Sequence, residues 1–274
     1  MGYDISYHPI SEQQIETWYF ELLRNPEKIE AVSAAHQLED FYKTKYQDTL
    51  NAGRETDKND YFDKTHGFFI AVVQGFFEKY FYVRGGALSF SQNELLASYY
   101  KRWEDFVQQE FLTNNIGNKL VENYCSGVFI PAEKVAQLID DYQQNPAIKA
   151  ELDTLFSDNR ISIFLRALQF AKERGLGLLE ATEVVEPQPF DLNESKSYSN
   201  LFNCDQEGPL LYRTVALQQI QEIEQRNGLP ENEVLPNVKT ETIHVDPQNF
   251  ETITTSRPSK KKSIWNRLFG KNFE

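Results

Sequence analysis

The chain has 274 residues, 40% of them hydrophobic and 25% charged, with 20 Phe and 14 Tyr. That balance excludes a disordered chain, and the length suffices for a large core without disulfide or metal staples. The formal net charge is -13, but residues 257–274 hold six bases and one acid, which leaves 22 bases and 40 acids in residues 1–256, a net of -18. A body this acidic repels nucleic acid and anionic lipid, so no nucleic-acid partner is expected, and it suits a basic partner protein. Two cysteines, Cys125 and Cys204, stand far apart with no CxxC, which allows a single structural disulfide and fits two buried thiols in a reducing compartment better. The N-terminus shows no positive cluster followed by an apolar run, which predicts a cytoplasmic chain.

Tyr3, Ile5 and Tyr7 alternate with polar residues and predict a short strand ended by Pro9. Ser11 with Gln14 forms a capping box, and Ile15, Trp18, Tyr19, Leu22 and Leu23 follow at helical spacing up to Pro26. A second helix is predicted from Glu27 to Leu50, then the polar loop NAGRETDKND. HGFFIAVVQGFFEKYFYV, His66 to Val83, is the most apolar stretch. Gln74, Glu78 and Lys79 interrupt it well short of the ~20 apolar residues of a membrane span. It predicts a helix buried on nearly all sides, ended at Arg84-Gly85-Gly86.

Ser91 with Glu94 is a second capping box, predicting a long helix through Leu95, Leu96, Tyr99, Trp103, Phe106 and Val107 toward Phe111. SGVFIP predicts a strand, and Pro131 opens a helix whose apolar face is Val135, Leu138, Ile139 and Tyr142. Helices over 148–156 and 162–174 follow, the latter stopped by Gly175, and LGLLEATEVV reads as a strand or a last apolar excursion. Residues 190–209 are turn-rich, 210–226 are helical, and Gly228 stops that helix. Prolines punctuate the chain from Leu229 onward, with TETIHV as one candidate edge strand. The blocks MGYDISYHPIS, GVFIPAEKVAQLIDDY and FAKERGLGLLEATEVVEP resemble segments of bacterial proteins, which implies one continuous domain and points to no activity.

The expected fold is therefore mainly α, a single multi-helix domain over residues 1–228 with a few short strands. A flexible Pro-containing linker over 229–259 and a basic amphipathic tail over 260–274 follow. In a helical SIWNRLFGKNF, Ile264, Trp265, Leu268 and Phe269 share one face, flanked by Arg267 and Lys271 and preceded by Lys260, Lys261 and Lys262. That is the pattern of an interfacial anchor. Burying four such side chains contributes on the order of 6–10 kcal/mol before ordering costs. Ordering each backbone residue costs about 1–2 kcal/mol, and each base near an anionic leaflet adds about 1 kcal/mol. The balance predicts weak, salt-sensitive docking to the inner face of the cell membrane, to a partner groove, or to the chain's own acidic body. Gly2 and Ser6 fit the loose myristoylation pattern, but the strand explains their neighbours Tyr3 and Ile5 better.

The four histidines, His8, His36, His66 and His244, make no HxH, HxxxH or HExxH, so neither metal nor cofactor is expected. GxSxG, P-loop and GxGxxG signatures are absent too. His36 with Asp40 and Glu39, and His66 with Asp63, place a carboxylate one turn from an imidazole, the minimum for acid–base work. An enzyme of hydrolase type built around His66 or His36 is the competing expectation. The leading one is a non-catalytic intracellular interaction protein, of toxin-immunity type, that neutralises a basic partner.

Overall fold

The structure, a computed structural model, describes residues 3–55, 66–102, 105 and 126–238. Helical residues predominate, but a six-stranded sheet rather than a helix bundle organises them. Its order is β3-β4-β5-β1-β2-β8, all neighbours antiparallel except the parallel pair β2–β8. The strands are β1 (Asp4–Ile10), β2 (Tyr80–Arg84), β3 (Lys101–Arg102), β4 (Ser126–Ile130), β5 (Gly177–Thr182) and β8 (Cys204–Asp205). A separate two-stranded ribbon pairs β6 (Val185–Glu186) with β7 (Lys196–Ser197).

Helices cover both faces. On one side lie α1 (Glu12–Ile15), a π-helical turn (Glu16–Phe20), α2 (Glu21–Arg24), α3 (Ile29–Ala35), α4 (Asp40–Arg54) and α5 (His66–Phe77). On the other lie α6 (Glu94–Ala97), α7 (Ala132–Gln144), α8 (Pro146–Leu155) and α9 (Arg160–Arg174). Strand alternation divides two hydrophobic cores between these layers. Ile5 and Tyr7 of β1 and Leu178 of β5 belong to the α7–α9 core, whereas Ile10, Leu179 and Ala181 belong to the α1–α5 core.

The structure corrects several sequence expectations. The run from His66 to Val83 is not one helix: α5 ends at Phe77 and β2 begins at Tyr80. YFYV carries helical apolar spacing by accident of composition, but its rings alternate, Phe81 and Val83 toward the α7–α9 core and Tyr80 and Tyr82 toward a third cluster. Of the helix predicted from Ser91, the described residues hold only the four of α6, capped by Asn93 rather than Ser91, before β3; Trp103, Phe106, Val107 and Phe111 lie outside the described residues. Ser91 instead donates its hydroxyl to Glu151 at 2.8 Å. The predicted helix over 27–50 is broken between α3 and α4, where Gln37 takes φ 52°. β1 runs through Pro9 to Ile10. Pairing with β2 ends at Tyr7, so Pro9 is flanked by β5 alone, where a missing N–H is tolerated.

Other expectations hold. Ser11 and Gln14 form the reciprocal capping box at 3.1 and 2.8 Å. Gly175, at φ 63°, closes α9 in the left-handed conformation that glycine adopts freely. Gly127 sits at the bulge of β4 because a Cβ there would lie 2.3 Å from the Glu180 carbonyl oxygen.

Two compact units divide the chain, Met1–Thr214 and Val215–Glu274, so that α10 (Glu207–Asn227) begins in one and ends in the other. In the second unit the helix stops at Gly228, φ 64°, as its sequence predicts. The Glu224 carboxylate accepts the Asn232 and Val234 N–H groups at 3.0 and 2.9 Å, which folds the turn back onto the helix end. Among the described residues, no helix is long and apolar enough to cross a membrane.

Candidate functional site

The tail residues Lys260, Lys261, Lys262, Ile264, Trp265, Arg267, Leu268, Phe269 and Lys271 lie outside the described residues, as do Asp63, His244 and TETIHV. His66, His36 and Asp40 are described. His66 opens α5 and is buried; its Nδ1 meets the Tyr19 hydroxyl at 2.8 Å, and burial pulls its pKa down to about 4. Gly53 of α4 makes room for that tyrosine, since a Cβ there would meet the Tyr19 hydroxyl oxygen at 2.3 Å. His36, half-buried at the end of α3, stacks on Phe77 at 4.3 Å and takes the Trp18 ring edge-on at 5.0 Å. Desolvation lowers its pKa, partly offset by the Glu78 carboxylate. Asp40 is exposed in the first turn of α4, where a negative charge favours the helix start. The His36 imidazole thus packs against rings while Asp40 stands on the surface; for His66 the described contact is with Tyr19, and its sequence partner Asp63 lies outside the described residues.

The polar chemistry that the structure does assemble lies on the central strands. On one sheet face, His8 is fully buried between Gln74 and Ser6, its ring stacked on Tyr80 at 5.0 Å. Gln74 Nε2 donates to the Pro9 and Lys79 carbonyls, both at 3.1 Å, which leaves its Oε1 as acceptor. His8 Nδ1, at 2.7 Å from that oxygen, must then carry the proton, and Nε2 accepts from the Ser6 hydroxyl at 2.8 Å. The ring is neutral, its pKa lowered to about 3 by burial against the support of Gln74.

On the opposite face, Tyr7 and Glu180 are register partners in β1 and β5. The Tyr7 hydroxyl donates to Glu180 Oε2 at 2.8 Å, with the Gly86 carbonyl as a longer second acceptor at 3.3 Å. Leu88 N–H donates to the same oxygen at 2.6 Å and Ser89 N–H to Oε1 at 3.3 Å. Burial raises the Glu180 pKa despite these donors, and burial with the Glu180 charge raises that of Tyr7. The carboxylate therefore fastens the 86–89 loop to the sheet. Both clusters escaped the sequence reading. The one available signal was a glutamate standing alone inside the apolar run LGLLEAT.

Further groups are equally engaged. Asp4 takes Arg84 at 2.5 Å and the Tyr82 hydroxyl at 2.6 Å, closing the end of the β1–β2 pair. Asp205 takes Arg166 at 3.0 Å and Lys79 at 3.3 Å. The buried Cys204 thiol is pushed up to about 12 by desolvation and then by Asp205, which removes it from thiolate chemistry near neutrality. A shallow groove of about 320 Å³ runs between α7 and α9, lined by Ile139, Tyr142, Leu165 and Arg166 among others. Among the described residues, no three histidine, cysteine or acidic side chains gather as metal ligands. Compared with known protein families, curated proteins and solved structures, the chain matches none.

Proposed function

We propose that the chain works by binding rather than by bond-making, as an interaction protein whose acidic body receives a basic partner protein and whose basic tail provides a second attachment. One observation carries this reading, the contrast between packed imidazoles and carboxylates exposed on the helices. The imidazoles His8 and His66 are buried in hydrogen bonds and His36 is packed against rings, whereas Glu39, Asp40, Asp48, Glu133 and Asp140 are exposed on the helices. Groups held neutral in packed surroundings are poorly placed to exchange protons with a substrate, while exposed carboxylates project a field that attracts a cationic surface and speeds its encounter. One concrete form is an immunity-type protein that neutralises a basic toxin. That step is an analogy from charge and not from a site.

The tail's share of the reading has its own test. Full-length chain and a chain ending at Ser256 are co-sedimented with vesicles of phosphatidylcholine alone and with added phosphatidylglycerol. The full-length chain is expected to pellet with the anionic vesicles only, several-fold less as salt rises from low to physiological strength. Equal pelleting of the two chains removes the tail from the account.

A further inference from the structure

The turn that follows β7 is built more firmly than a surface loop needs to be. Ser199, itself buried, donates its hydroxyl to the Val72 carbonyl at 2.7 Å. Asn203 Nδ2 donates to the Gly75 and Phe76 carbonyls at 3.0 and 3.3 Å. Asn200 Oδ1 accepts the Phe202 N–H at 3.0 Å, capping the one-turn helix Leu201–Asn203, and also accepts the Tyr42 hydroxyl at 2.9 Å. These bonds tie the turn to α5 and to the first turn of α4.

What this rigid frame displays is apolar. Phe202 is 93% exposed, and Leu201 and Tyr198 are exposed beside it. Across the Tyr42–Asn200 bond, Phe41 is 62% exposed, its ring edge-on to Tyr42 at 5.1 Å. Two exposed phenylalanines thus stand around a single interelement hydrogen bond. A backbone already ordered by these bonds loses little further freedom when a partner covers the rings it carries, and such preorganisation adds to affinity. The rim carries exposed Glu39 and Asp40, with Lys45 lying over the Phe41 ring at 5.1 Å.

We propose that this surface, anchored by Phe41 and Phe202 and rimmed by Glu39 and Asp40, is where the basic partner protein docks. The inference rests on the binding reading above and gives it an address. Charge complementarity selects the occupant: with a net of -18 over residues 1–256, a cationic surface carrying an apolar protrusion gains on approach, and an acidic or uncharged one does not.

The test is fluorescence anisotropy of two labelled amphipathic peptides, one of Lys, Leu and Trp and its acidic counterpart of Glu, Leu and Trp, titrated with the full chain. The basic peptide is expected to bind and the acidic one not. Phe41→Ser with Phe202→Ser is expected to weaken binding by about tenfold or more. Glu39→Gln with Asp40→Asn is expected to weaken it several-fold and flatten its salt dependence. All four side chains are exposed, so unchanged melting curves will show that the fold survives. Unchanged affinity in the phenylalanine variant overturns this surface and leaves the binding reading standing. Failure of the basic peptide to bind any variant overturns both, as does equal binding of the acidic peptide. Binding seen only in a chain ending at Ser256 overturns the external occupant, because the chain's own residues then fill the surface.

Discussion

Gln74→Leu is expected to destabilise the fold by about 3–5 kcal/mol, read as a lower urea midpoint at unchanged slope. Leucine keeps the volume and the helix preference of glutamine, so the loss is polar. The substitution strands the His8 Nδ1–H and removes the Gln74 amide donor from the Pro9 and Lys79 carbonyls. The Lys79 bond joins the end of α5 to the start of β2, so the variant loosens the turn that converts a helix into a strand. A His8→Leu/Gln74→Leu chain is expected to recover part of the loss, because the stranded imidazole donor goes with His8.

The same ring sets a pH dependence. Its folded pKa, about 3, lies below the unfolded value near 6.5, so the folded state binds fewer protons. Stability that is complete above the unfolded value is lost as pH falls from there toward 3, on the order of 4–5 kcal/mol over that window. His66, held at about 4, adds a smaller loss in the same direction. Glu180 acts with the opposite sign. Its folded pKa is raised, so its contribution is fully present below the ordinary carboxylate value, roughly 4.3, and is lost as pH rises through the folded one.

Glu180→Ala is the second large effect, about 3–5 kcal/mol, because it leaves the Leu88 and Ser89 N–H groups without their acceptor and the buried Tyr7 hydroxyl with the Gly86 carbonyl alone, at 3.3 Å. Glu180→Gln is expected to cost only about 1–2 kcal/mol. An amide oxygen in the Oε2 position still accepts the Leu88 N–H and the Tyr7 hydroxyl, and only the longer Ser89 bond, 3.3 Å to Oε1, loses its acceptor. The glutamine chain should also lose the Glu180 share of the pH slope. Urea unfolding of the three chains across the carboxylate range checks both statements. Equal losses in alanine and glutamine would mean that the carboxylate charge, rather than its acceptor geometry, holds the 86–89 loop.

What the sequence disclosed follows from what is local. The strand around Ile5 and Tyr7, the Ser11–Gln14 box and the glycine at 175 are settled within a few residues of themselves, and each is present, the strand running on through Pro9 to Ile10. The helix–strand switch after Phe77 was hidden because the contact that spans it, Gln74 reaching forward to the Lys79 carbonyl, has no sequence motif. The sheet was underestimated for a related reason. Strand β2 is buried from Tyr80 to Val83, so its apolar run continues that of α5 and mimics buried helix, and only tertiary pairing distinguishes the two. The pair His36–Asp40 shows the limit of helical spacing as a guide, because Gln37, at φ 52°, turns the chain between the two residues. The exposed aromatic surface was invisible because Phe41 and Phe202 are 161 positions apart and meet only through Tyr42 and Asn200.

The most direct test of the account is capture from an extract of the source cell on immobilised full-length chain and on a chain ending at Ser256, each washed at low and raised salt, with every retained protein identified. A basic protein retained by both chains, released by salt and lost from the Phe41→Ser/Phe202→Ser chain, is the expected result. Retention of acidic or neutral proteins only, or of proteins indifferent to salt, would contradict the claim that the negative body is a receptor for a cationic partner.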